Sequence, residues 1–204
     1  DNSQKVWLVL GVLAVLIVLA TLYSNNKKSK NLENNTTLGL LQNKIIYDID
    51  YSDSLLNADF EDVLNTMSAS ESYNQAFIYL LNDAIKNDDQ DKIKSLLDNN
   101  NFKSNDDMLN SFILKVKGDL ISADNQSDAI KYYKSAIKIV PSYDLKVSYS
   151  IDLIELFLES SNLDEANKVF NNIKNITDNV ENLPRSAQNN LDYIEYKLKQ
   201  LGKK

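Results

Sequence analysis

The side chains that could carry chemistry in this chain are carboxylates, lysines, serines and tyrosines, because its 204 residues include no histidine and no cysteine. Imidazole acid–base catalysis, Ser-His-Asp triads, thiol nucleophiles, disulfides, Cys- or His-ligated metals and a lipid-anchored Cys are excluded outright. Four adjacent acid pairs remain: Glu61-Asp62, Asp88-Asp89, Asp106-Asp107 and Asp164-Glu165. Two carboxylates do acid–base work when an apolar pocket raises one pKa above the other. No apolar run encloses any of these pairs. Most fall in polar joints or first turns, where acids favour a helix N-terminus. Asp88-Asp89-Gln90-Asp91 reads as an acidic turn, since calcium-loop spacing is absent. No glycine-rich phosphate loop is present. The expectation is a chain that is not an enzyme, with no catalytic residue, no cofactor, no metal and no small-molecule substrate.

Net charge is −7 with a pI near 4.7, which argues against a nucleic-acid binder. Only 4 glycines and 2 prolines are present, too few for the tight turns of a β-rich fold. Frequent Asn and a single Arg (Arg185) suit an AT-rich genome. Matches to the glycosylation sequon, such as those at Asn35, Asn125 and Asn175, fit chance at this Asn content.

Val6–Tyr23 (VWLVLGVLAVLIVLATLY) is 18 residues without a charge. As a helix it spans roughly 27 Å, close to the hydrocarbon core of a bilayer. Trp7 and Tyr23 stand at its ends, with Val6, Leu10, Leu13, Leu16 and Leu19 along it, as amphipathic rings favour the headgroup region. A buried core helix is the weakest reading, since a domain this small cannot cover a helix on all faces. A cleaved signal peptide is the stronger rival, but the run exceeds the usual apolar region and no A-x-A site follows. The reading is one retained anchor held in membrane lipid. Residues 1–5 would be its truncated flank, because Asp1 in place of Met predicts a preceding piece. Lys27, Lys28 and Lys30 outweigh Lys5 and, taken alone, favour a cytoplasmic C-terminal side.

Residues 24–37 (SNNKKSKNLENNTT) form a polar linker. From Leu38 to the end at 204, apolar residues recur every three or four positions, which predicts amphipathic helices with short polar joints. Ser70 or Ser72, Ser127-Asp128, and Asn162 with Asp164 are the expected helix starts, and Pro184 precedes a closing helix over 185–201. The sharpest pattern is internal. Ala129, Tyr133, Ala136 and Pro141 lie in DNQSDAIKYYKSAIKIVP. Ala166, Phe170 and Ile173 repeat the spacing in SNLDEANKVFNNI, 37 residues on, with Ile173 where the first copy has Ala136. The tetratricopeptide repeat has similar spacing in its second helix. A small residue lets the two helices of a hairpin approach, and the aromatic one turn later fills the gap toward the next hairpin. Gly118 falls near the repeat's first-helix glycine, one residue out of step, and Ile154 takes the corresponding place downstream. A generic bundle with accidental spacing is the bland alternative. The expected fold is all-α: a single transmembrane helix, then a tetratricopeptide-like right-handed solenoid of helical hairpins.

An N-terminal anchor followed by a small repeat body resembles the YfgM-like family of bacterial proteins, ancillary subunits of the SecYEG translocon. Leu114–Ile137 (LKVKGDLISADNQSDAIKYYKSAI) looks like the family's Gly-Asp hairpin and Ala-aromatic helix. Glu181–Gly202 (ENLPRSAQNNLDYIEYKLKQLG) is similar to its closing helix after a Leu-Pro pair. The region 45–59 departs from the repeat, and the lysine count departs from the family's topology. The resemblance implies a protein-binding module on the bacterial inner membrane with its body on the periplasmic side. It would act near SecYEG with a PpiD-type chaperone to assist newly exported chains. The alternative is a single-pass scaffold or accessory subunit of another membrane complex, facing the cytosol.

Overall fold

A computed structural model describes residues 53–66, 71–98, 102 and 104–202, together with the helical positions 24, 25, 28, 29, 32, 33, 36 and 39. The anchor residues Val6, Trp7, Leu10, Leu13, Leu16, Leu19 and Tyr23 lie outside the described residues, as do the proposed cap Ser70 and half of the linker. Among the described residues, all regular structure is helical, and no helix is long and apolar enough to cross a membrane.

The chain divides into two compact units. The first contains α1 (Asp53–Thr66) and α2 (Glu71–Lys86), which pack on each other. Phe60 and Val63 on α1 and Tyr73, Ala76, Phe77, Leu80, Leu81 and Ala84 on α2 are buried. This is the three- and four-residue spacing expected of two apolar stripes facing each other. Phe60 stacks on Tyr79 at 4.1 Å between ring centroids, and Asn57 donates to Asp83 across 2.8 Å. Phe102 returns to this unit and lies 5.1 Å from Phe77.

The second unit contains α3 (Gln90–Asp98), α4 (Asp107–Ile121), α5 (Gln126–Ile139), α6 (Tyr143–Glu159), α7 (Leu163–Thr177) and α8 (Arg185–Leu201). α4 and α5 form one hairpin, α6 and α7 a second, and α8 packs on both α6 and α7. α5 also packs on α6, which joins the hairpins, and α3 packs on α4.

The helix boundaries follow from local chemistry. Asp106 caps α4 by accepting from the backbone N–H of Met108 at 2.7 Å and of Leu109 at 3.4 Å. Val140 precedes Pro141 and is extended at φ −61°, ψ 125°, as the proline ring requires of its predecessor, so α5 ends there. Ser142 then caps α6. The start of α5 differs from the sequence expectation. Asn125, not Ser127-Asp128, is its cap, accepting from the N–H of Asp128 at 3.2 Å. Asn162 does the same for α7 with Glu165, also at 3.2 Å. The reason is reach: an N-cap side chain must lie two or three residues before the free N–H, and Ser127 is already inside the first turn.

At the other end of the second hairpin, Ser160 caps α6 and Ser161 adopts φ 57°. The N–H of Asn162 bonds the carbonyl of Phe157 at 2.8 Å, and that of Ser161 bonds Leu158 at 2.9 Å. This is the paired bond of a Schellman ending, made with serine where glycine is usual.

Candidate functional site

The repeat residues line the core of the second unit. Ala129, Ala136 and Ala166 are fully buried, and Tyr133, Phe170 and Ile173 nearly so, while Pro141 is exposed in the joint before α6. The correspondence across 37 residues reaches further than the apolar positions. Asn125, Asp128 and Lys131 on α5 match Asn162, Glu165 and Lys168 on α7. Each asparagine caps its helix, and each acid pairs with the lysine one turn later. These pairs pull both carboxylates below their usual range and raise both lysines.

Tyr133 does not only face the next hairpin. A Cβ placed on Gly118 would lie 3.3–3.4 Å from three atoms of the Tyr133 ring, so the missing side chain is the seat of that ring within its own hairpin. The ring edge also joins the cluster of Val147, Leu153, Ile154 and Phe157 on α6.

This seating brings together a polar cluster that the sequence reading missed. The Tyr133 hydroxyl donates to Asp119 Oδ1 at 2.6 Å. Lys115, one turn before Asp119 on α4, donates to its other oxygen at 2.7 Å. The same ammonium lies 3.4 Å from Asp152 of α6. Three helices therefore meet through one lysine, two carboxylates and one phenol. Further along α6, Glu155 accepts from Lys197 of α8 at 3.0 Å, and the Tyr193 ring centroid is 6.0 Å from that ammonium. Ser148, Asp152, Glu155 and Glu159 recur at helical spacing, so α6 carries an acidic stripe that meets a lysine from α4 and another from α8. The signal in the sequence was the pair of acids inside the apolar run YSIDLIELFL, 149–158, where a stripe of opposite character must face outward.

The electrostatics describe groups held in fixed ionisation states. Burial raises the Tyr133 phenol, and the Asp119 hydrogen bond and charge raise it further. Burial lowers Lys115, but its hydrogen bond and attraction to Asp119 and Asp152 outweigh this, leaving it raised. Burial raises Asp152 despite Lys115. A lysine held protonated is no nucleophile, and a phenol held protonated is no base. What the arrangement can do is join helices and present carboxylates to a cationic ligand.

The four acid pairs noted in the sequence are not drawn into this cluster. Asp106 is a helix cap, Asp89 accepts from the N–H of Lys92, Glu165 pairs with Lys168, and Asp62, Asp88, Asp107 and Asp164 are exposed. Among the described residues, no group of three or more carboxylates is placed to hold a metal ion.

No protein-family model, no curated protein and no solved structure matches the chain.

Proposed function

We propose that the chain is a tetratricopeptide-like protein-binding module, tethered to the bacterial inner membrane by residues 6–23. The observation that carries this reading is the in-register repeat Asn125–Ile137 and Asn162–Lys174, in which caps, ion pairs and core residues recur together on the second helix of successive hairpins. Repeated hairpins leave the first helices, α4 and α6, and the closing α8 to share one face. The acidic stripe on that face favours a basic or neutral segment of a partner. The resemblance to the YfgM-like family supports a periplasmic body beside SecYEG that works with a PpiD-type chaperone on newly exported chains.

The lysines Lys27, Lys28 and Lys30 favour a second reading, in which the same module faces the cytosol as an accessory subunit of another complex. One experiment separates the two. With no native cysteine in the chain, a single cysteine replacing Lys203 can be labelled by a membrane-impermeant maleimide in cells with a permeabilised outer membrane. Labelling before lysis is expected for the translocon reading. A photo-crosslinker at Glu159 should then capture a SecYEG subunit or the chaperone. Labelling only after lysis would overturn the periplasmic placement, and an exported body without those crosslinks would overturn the translocon assignment.

A further inference from the structure

The opposite chemistry occurs on another face of the second unit. α5 and α7 each pack on α6 and leave between them a cavity of 520 Å³ over its N-terminal half. Its floor is apolar: Ile137 from α5, Leu153 from α6, and Val169, Ile173 and Ile176 from α7. Its rim carries Lys134 and Lys138 of α5, Lys146 of α6 and Lys168 of α7. Glu165 also lines the cavity, pairs with Lys168 and attracts Lys134 at longer range. Lys134, Lys138 and Lys146 form no ion pair among the described residues. In a chain of net charge −7, three lysines around one apolar depression are a local reversal of sign. Lys134 lies 5.9 Å from the Phe157 ring centroid, which holds its stem along the wall.

We propose that this groove docks an acidic amphipathic helix of a partner protein. A volume of 520 Å³ falls in the range of ligand-sized sites and takes a few apolar side chains, not a whole polypeptide segment. A helix delivers such side chains from one face, at positions i, i+3, i+4 and i+7, while its backbone stays outside. Charge complementarity sets the occupant: glutamates flanking the apolar face meet Lys138 of α5 and Lys146 of α6. The site goes beyond the function proposed above. It lies away from the acidic stripe of α6, it takes a ligand of opposite charge, and it makes no use of the anchor or of the topology.

The test uses the full chain in a neutral detergent and a fluorescein-labelled peptide of about 18 residues, long enough to hold a helix. The peptide carries leucines on one face and glutamates beside them; its counterpart has lysines in place of the glutamates. Fluorescence anisotropy should show binding of the acidic peptide only. The double variant Lys138→Glu/Lys146→Glu should weaken it about tenfold or more, and Lys117→Glu, the same change of charge on α4, should not. Bound peptide should also protect Lys138 and Lys146 from acylation read by mass spectrometry. Equal binding of both peptides, binding of neither, or an unaffected double variant would overturn the proposal. So would protection of these lysines by short-chain phosphatidylglycerol but not by peptide, which would make the groove a lipid site. Protection that rises with protein concentration in the absence of peptide would make it a contact between copies of this chain and would equally overturn the proposal.

Discussion

The Tyr133 side chain is held at both ends: its ring sits over the bare Cα of Gly118, and its hydroxyl donates to the carboxylate of Asp119, the next residue along α4. The ring can therefore neither slide along the first helix nor lift from it without breaking a charge-assisted bond. Gly118→Val should lower stability by about 2 kcal/mol, because the added methyls meet a ring that has nowhere to go. The midpoint of urea unfolding followed by circular dichroism checks this, and an unchanged midpoint would refute the seating.

Tyr133→Phe keeps the ring and removes the bond. It should cost about 1 kcal/mol at neutral pH, since Asp119 retains Lys115 and access to water. The alkaline behaviour is more diagnostic. Burial and Asp119 hold the folded phenol above the ordinary tyrosine range, so the unfolded state loses its proton first. Its stabilisation is complete below about pH 10 and is lost as the pH rises toward the folded value. Stability measured between about pH 8 and pH 11 should fall less steeply in the variant than in the native chain. Parallel curves would mean that the phenol does not contribute.

On the acid side two carboxylates should act with opposite sign. Glu195, bonded by Lys174 and Lys199, is lowered from 4.5 to about 2. Its contribution is present above the unfolded value and is lost as the pH falls through the folded one. Asp152 is raised by burial, so acid relieves its desolvation. Glu195→Gln should flatten the acid loss of stability, whereas Asp152→Asn should steepen it and leave stability at neutral pH equal or higher. Carboxyl pKa values read by NMR through the acid range would expose the error if both were displaced to the same side of their ordinary values.

Ser161→Gly should raise stability by about 1 kcal/mol, because the Schellman ending of α6 places a side chain at φ 57° where glycine carries no penalty. A lower unfolding midpoint would show that the serine makes a compensating bond.

Ala166 is fully buried between α7 and its neighbours, as Ala129 is in the preceding hairpin. Ala166→Trp should destabilise by about 3 kcal/mol through overpacking. If the purified variant melts like the native chain, the hairpins do not approach through this position.

Much of the second unit could be read from residue spacing. Ala129, Tyr133 and Ala136 announced a helix face, Pro141 its end, and the closing helix begins at Arg185 as the Leu-Pro pair suggested. Cap choice was less legible, because Asn125, Ser127 and Asp128 all have cap chemistry and only the phase of the first turn selects among them. The Lys115–Asp119–Tyr133–Asp152 cluster was not legible at all. It depends on the rotation of three helices about their axes, which local propensity does not encode. The lysine rim was hidden for the same reason: Lys138 and Lys146 come together only when α5 and α6 are packed. The candidate site was therefore readable as a repeat but not as a set of charges.

α8 lays its apolar stripe against the second hairpin. It buries Ala187, Leu191, Ile194 and Leu198 along that stripe, and turns Gln188, Asn189, Asp192, Tyr193, Tyr196 and Lys199 outward. An open row of identical hairpins would offer its final apolar face to the first hairpin of another molecule and could grow into a filament. The outer surface of α8 is mainly polar, broken by the exposed rings of Tyr193 and Tyr196, so it offers no continuous apolar stripe for such growth.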